Sequence, residues 1–216
     1  MLTATAPATR TRRRVPLASG KTFSEGMPAE PVCRITVDQY HDMIRLGILI
    51  EGDPIELLEG WLARKMSKNP PHVFTGKLLR KALQKVIPRG WDVHSQDPIT
   101  LDQSEPEPDL AVVVEKDDEY LKCHPIADDV ALVIEIADSS LSRDKGWKKQ
   151  IYARSGIAQY WVVNLIDSVI EVFSDPNGST KSPDYRTHEI LAGKQKVPVI
   201  LNGKKVGSIL VSDVLP

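Results

Sequence analysis

Four short runs rich in β-branched residues limit what this chain can fold into: DLAVVVE from Asp109, VALVIEIA from Val130, QYWVVNL from Gln159 and SVIEVFS from Ser168. Each has the length and composition of a strand. Between the second and third lies SRDKGWKKQIYARSG, which reads as a helix closed by Gly156. NLIDS is a tight link between the third and fourth runs and makes them an antiparallel hairpin. YRTHEIL, KVPVIL and KVGSILV add further strands toward the C-terminus. The order strand, strand, helix, strand, strand predicts a mixed α/β (α+β) domain with a central sheet.

The first half of the chain reads as more helical. TVDQYHDMIRLGIL begins at Thr36, a candidate N-cap, and spaces Tyr40, Met43, Ile44 and Ile48 as a helix does. NPPHVFTGKLLRKALQKVIPRG predicts a helix from about Pro71 to Ile87, stopped by Pro88 and Gly90. PIELLEGWLARKM predicts a hairpin turning at Glu59–Gly60.

Composition narrows the function classes. With 216 residues and 41% hydrophobic content, one domain with a real core is expected. The net charge of −1 supplies no global field toward nucleic acid, so a polyanion must be met by local patches. Cys33 and Cys123 are far apart, which argues against a disulfide scaffold or a zinc site and for a reducing, cytoplasmic setting. No run has the roughly 18 apolar residues of a membrane span. Residues 1–30 are Arg-rich, acid-free before Glu25, and lack the apolar core of a secretory signal. They read as a flexible basic tail, a composition shared with transit peptides, ahead of a domain over 31–216.

The acids carry the chemistry. SGKT at Ser19–Thr22 lacks the earlier glycine of a phosphate-binding loop, and the five histidines are scattered singly. Asp109 opens the LAVVV strand, where side-chain alternation puts it on one face with Ala111 and Val113. Glu135 shares a face with Val133 and Ala137 in an otherwise apolar strand. A carboxylate there needs a cation, a metal or strong hydrogen bonds. Asp144, Lys148 and Tyr152, four residues apart, form one helical stripe able to reach back to it. An ordinary ion pair at a strand end explains Glu135 equally well at this level. Lys77, Lys81 and Lys85, with Arg80, make a cationic stripe on the second helix, and Arg10–Arg14 a second cluster. Such stripes are often only a solvated face, and both are candidate contacts to phosphate.

Taken in order, IELLEGWLARKMSKNPPH, SQDPITL, SEPEPDLAVVV, LVIEIADSS and SRDKGWKKQIYARSGIAQYWVVN resemble the Uma2 family, in the PD-(D/E)xK nuclease superfamily, from about Ile35 to the C-terminus. The resemblance implies a restriction-endonuclease-like core, a central mixed β-sheet flanked by helices. It also implies a Mg²⁺-dependent (or Mn²⁺-dependent) endonuclease acting on DNA. Asp109 and Glu135 become metal ligands and catalytic residues, and a lysine stabilises developing charge. Ala137 stands where the pattern has its lysine, so Lys148, in the matching K-x-x-x-Y, takes that role ahead of Lys145 and Lys149. Glu59 is a further candidate acid near the metal, Asp144 and Tyr152 are supporting residues, and Glu105 and Glu107 are loop acids. The missing E-x-K lysine leaves a second class open, a non-catalytic nucleic-acid-binding or dimeric interaction protein on the same scaffold. RNA is an alternative substrate, and a homodimer built through the late apolar strands is compatible with the sequence without being required by it.

Overall fold

A computed structural model describes residues 33–50 and 52–215, so the expected basic tail, with Arg10–Arg14, lies outside the described residues. Helix α1 (Val37–Arg45) starts where Thr36 predicts. The Thr36 hydroxyl accepts from the Gln39 amide while the Gln39 side chain accepts from the Thr36 amide, a capping box that satisfies two end donors. The helix ends at Arg45, so Ile48 falls beyond it. Strands β1 (Ile55–Leu58) and β2 (Trp61–Arg64) form the expected hairpin. Its two-residue loop has positive φ at both Glu59 (46°) and Gly60 (80°), as a turn matching strand twist requires.

Helix α2 (Pro70–Val86) is capped by the Asn69 side chain, which accepts from the His72 amide. Its faces divide cleanly: Thr75, Leu79 and Leu83 are buried, and Lys77, Lys81 and Lys85 are exposed.

The central sheet has, among the described residues, six strands in the order β3-β4-β5-β6-β7-β8. They are β3 (Trp91–His94), β4 (Leu110–Val114), β5 (Val130–Ala137), β6 (Gln159–Asn164), β7 (Val169–Pro176) and β8 (Tyr185–Ala192). A single turn of helix, α3 (Asp117–Tyr120), follows β4. Only β5 and β6 run parallel, because only they are joined by a helical crossover; β6–β7 is the hairpin expected from NLIDS. The sheet is therefore mixed, as the sequence predicts. Strand β3 escaped the sequence reading, since WDVH is only four residues long and half of it is polar.

The two faces of the sheet hold separate cores. Leu132, Ile134 and Ile136 of β5 pack with Leu79 and Leu83 of α2. The hairpin of β9 (Lys196–Leu201) and β10 (Lys204–Leu210) joins the same core through Val197, Val199 and Ile209. The late strands thus spend much of their apolar surface inside the domain. On the opposite face Val133 and Ala137 pack with Ile151, Tyr152 and Tyr160. Among the described residues Cys33 and Cys123 are both free and exposed, and no helix is long and apolar enough to cross a membrane.

The crossover is not one regular helix. α4 (Leu141–Arg143) passes into a π-helical turn (Asp144–Lys148) and then α5 (Lys149–Arg154). The Lys149 amide donates to the Asp144 carbonyl five residues back. Gly156, with φ of 77°, closes the segment as predicted.

Gly60 provides a test of this frame. A Cβ there would lie 2.5 Å from Arg34 Cβ, on a backbone already at positive φ. Gly60→Ala is expected to cost about 1–3 kcal/mol, read as a lower urea midpoint with an unchanged m value. An unshifted midpoint contradicts the turn geometry.

Candidate active site

Chain register brings the two expected acids together. Strands β4 and β5 pair Leu110 with Ile134 and Ala111 with Val133. Continued by one residue, this antiparallel register sets Asp109 opposite Glu135, where facing Cβ atoms lie on the order of 5 Å apart. The Asp109 Oδ2 atom accepts from the Ile136 amide at 2.8 Å, which locks its direction beside Glu135. Asp109 is 8% exposed and Glu135 5%. Both line one cleft of about 370 Å³.

Lys148 reaches the same place from the π turn. Its Nζ atom lies 2.9 Å from Glu135 Oε1 and 3.0 Å from Glu56 Oε2, and it is 3% exposed. Tyr152, one turn on, donates to Glu135 Oε1 at 2.9 Å. It therefore orients the glutamate directly rather than the lysine. The rival lysines are engaged elsewhere, Lys145 with Glu171 at 2.8 Å and Lys149 with Asp184 at 2.7 Å.

Glu56, on β1, was missed from sequence. It is fully buried, and its Oε2 also accepts from the Glu107 amide at 3.2 Å. A glutamate between Ile55 and Leu57 was the available signal, the same anomaly that marks Glu135, in a strand too short to display alternation. Glu59 is not brought to this cleft. The hairpin turn points it toward Trp147 Nε1 (2.9 Å) and Arg154 (3.0 Å), and it lines a separate pocket of about 180 Å³. Glu105 and Glu107 lie in the loop ahead of β4, as expected, and both are paired there. Glu105 is buried against His41 (2.7 Å) and Thr100 (2.8 Å), and Glu107 pairs with Lys65 (2.7 Å). Asp144 lines the cleft beside Lys148 with Arg143 as its ion-pair partner at 4.0 Å. Lys77, Lys81 and Lys85 stay on the outer face of α2 and line neither pocket.

Two more residues absent from the sequence reading meet Asp109. Lys68 lies 3.2 Å from Oδ1, and His72 Nε2 lies 3.0 Å from Oδ2. Both come from the segment that opens α2, whose approach to Asp109 is set by tertiary packing and leaves no local pattern.

The electrostatics separate the acids. Burial pushes the Asp109 carboxyl up, but His72, Lys68 and the Ile136 amide outweigh it and leave the group below the ordinary aspartate value. Burial pushes Glu135 up to about 8 against the pull of Lys148, with Asp144, Asp109 and Glu56 adding to the rise. Asp144 is also raised, chiefly by burial. Lys148 is held as an ammonium: burial opposes its charge, and Glu135, Glu56 and Asp144 prevail. Glu56 Oε1 and Asp144 Oδ1 are buried without a hydrogen-bond partner among the described residues. Glu135, Glu56 and Asp144 share one buried ammonium, which leaves this part of the cleft short of positive charge.

A divalent ion suits that deficit. Among the described residues no three His, Cys, Asp or Glu side chains form a closed metal cage. Mg²⁺ does not need one, since it is commonly held by one or two carboxylates and keeps several waters. Asp109, directly before β4, and Glu135, on β5, supply hard oxygen donors, and the donor set fits such an ion.

The raised Glu135 carboxyl has a stability consequence. Folded, it binds its proton more tightly than when unfolded, so stability falls as pH rises from about 4.5 to about 8. In chelator, the melting temperature is expected to drop across this window, and Glu135→Gln should flatten the drop. Identical slopes in the two proteins contradict the assignment.

A family model described as "Uma2: Putative restriction endonuclease" matches residues 37–203. One solved structure, described as "a putative nuclease belonging to DUF820 from Anabaena variabilis", superposes with a TM-score of 0.61 at 17% identity. The match covers 83% of this chain and 97% of that one, a likeness of fold. No curated protein matches the chain.

Proposed function

We propose that this chain, which belongs to the Uma2 family, is a divalent-metal-dependent endonuclease that hydrolyses phosphodiester bonds in DNA. The observation carrying this reading is the pair of adjacent buried carboxylates, Asp109 and Glu135, with the Lys148 ammonium 2.9 Å from the second. The family description, a restriction endonuclease, supports DNA as the substrate class.

In this mechanism Asp109 and Glu135 would hold Mg²⁺ or Mn²⁺ through carboxylate oxygens, and the chemistry supplied there would be polarisation of the scissile phosphate and a lowered pKa for an attacking water. Lys148 contributes a positive charge that needs no proton uptake at neutral pH, placed to stabilise charge growing on the phosphate oxygens. Tyr152 keeps Glu135 aimed, and its hydroxyl stays protonated because burial raises its pKa well above the ordinary tyrosine value. Glu56 shares the Lys148 ammonium with Glu135 and helps to fix its position. The role sought in an E-x-K lysine is thus met from the helix, which answers the presence of Ala137. The exposed lysines of α2 add a phosphate-binding face that reads no sequence.

Supercoiled plasmid with Mg²⁺ or Mn²⁺ is expected to be nicked or linearised. Asp109→Ala and Glu135→Gln should abolish cleavage, and Lys148→Met should slow it roughly 10²–10³-fold, the scale of removing one charge-stabilising group. DNA binding without cleavage at any metal concentration favours the non-catalytic scaffold instead. Cleavage confined to RNA moves the substrate class.

Binding separates the surface contribution from the cleft. Replacing Lys77, Lys81 and Lys85 by alanine should shallow the dependence of log K on log salt by about 0.9 for each phosphate that is no longer neutralised. An unchanged slope makes that stripe a solvated face only.

A further inference from the structure

The lysine and the histidine on Asp109 stand where a divalent ion and this aspartate would meet. We propose that Lys68 and His72 are a displaceable pair, holding Asp109 until a divalent cation takes it and then binding the substrate phosphate beside it. The inference rests on the nuclease reading above and assigns those two residues a role within it.

Several observations converge on this pair. Asp109 is nearly buried and both its oxygens are engaged, Oδ1 by Lys68 at 3.2 Å and Oδ2 by His72 at 3.0 Å. A divalent ion on the same carboxylate repels the Lys68 ammonium with twice the force of a unit charge. Lys68 is able to leave. It lies in the stretch between β2 and α2, outside both elements, and its side chain is 32% exposed. The His72 ring is more enclosed, at 12%, and is fixed to the first turn of α2. A released ammonium in this cleft finds mostly acids, so an incoming phosphate is its natural partner. Lys148 cannot fill that role alone, because Glu56 and Glu135 already flank it. The segment is also held at the site, since the Asn69 side chain donates to Asp138, just past the end of β5.

The pair therefore has opposite effects on two ligands. It competes with the metal for Asp109, and it favours the phosphate once the metal is bound. A purely structural ion pair would compete with the metal but would do nothing for the phosphate.

Full-length protein tests this by calorimetry with Mn²⁺ in the absence of DNA, and by anisotropy with a labelled DNA duplex in Ca²⁺. Lys68→Met should bind Mn²⁺ roughly fivefold more tightly, at the low end of couplings between linked ligands. The same variant should bind DNA about tenfold more weakly, the scale of one charge-assisted hydrogen bond. Lys65→Met removes an equal charge from the same cleft, at Glu107 rather than Asp109, and should tighten Mn²⁺ binding far less than Lys68→Met does. Lys68→Arg should keep both wild-type affinities. In the unaltered protein, the His72 ring nitrogen signals should shift on Mg²⁺ addition, a readout that does not depend on any variant folding. Unchanged or weaker Mn²⁺ binding in a folded Lys68→Met protein overturns the proposal, as does unchanged DNA affinity. Still His72 signals under saturating Mg²⁺ overturn it as well. If the wild-type protein binds neither Mn²⁺ nor Mg²⁺, the nuclease reading itself falls, which separates the two failures.

Discussion

The Lys148 ammonium is the interaction on which the cleft depends. It is buried on every side, and a buried charge without partners costs several kcal/mol. Glu56 from β1 and Glu135 from β5 meet that need, so one side chain ties the N-terminal hairpin, the central sheet and the crossover helix to a single point. The Tyr152 hydroxyl and the Glu107 amide each add a hydrogen bond to one of these acids. Because the three elements are distant in sequence, this point exists only in the folded state. The cation that makes the fold self-consistent is also the one to which the proposed mechanism gives the substrate phosphate.

That arrangement leaves a surplus of negative charge. Asp109 resolves it with Lys68 and His72, whereas Glu135 and Asp144 resolve it by retaining protons to higher pH. Neighbouring carboxyls with proton affinities pushed in opposite directions are a recurring property of catalytic centres. Here the cause is visible: the opening of α2 delivers a lysine and a histidine to one acid, and the packed face of the sheet encloses the other.

Much of this was legible in the chain. Glu135 declared itself because a charged residue interrupts an eight-residue apolar strand, where alternation assigns a face. Asp109 followed from the same logic, and the four β-rich runs with one intervening helix pointed to the mixed sheet. What stayed hidden has physical reasons. Glu56 occupies a four-residue strand with no periodicity to violate, so the neighbouring Glu59 drew attention instead, although the turn directs it elsewhere. Lys68 and His72 matter through tertiary packing rather than a pattern. The π turn is invisible because its residues are ordinary helix formers apart from Gly146.

That turn changes how the site is written into the chain. A π turn carries one residue more than an α-helix would over the same stretch, while the segments on either side keep their docking. Removing one residue between Asp144 and Lys148 would thus let Ile151 and Ala153 remain against the sheet, with a conventional helix in between. The side chains forced to move would be those around the cleft. Folding and chemistry are in this respect encoded separately, one in the identity of the packed residues and the other in the chain's length. A relative shortened by one residue here could keep the whole architecture and lose the centre without a single substitution among the acids.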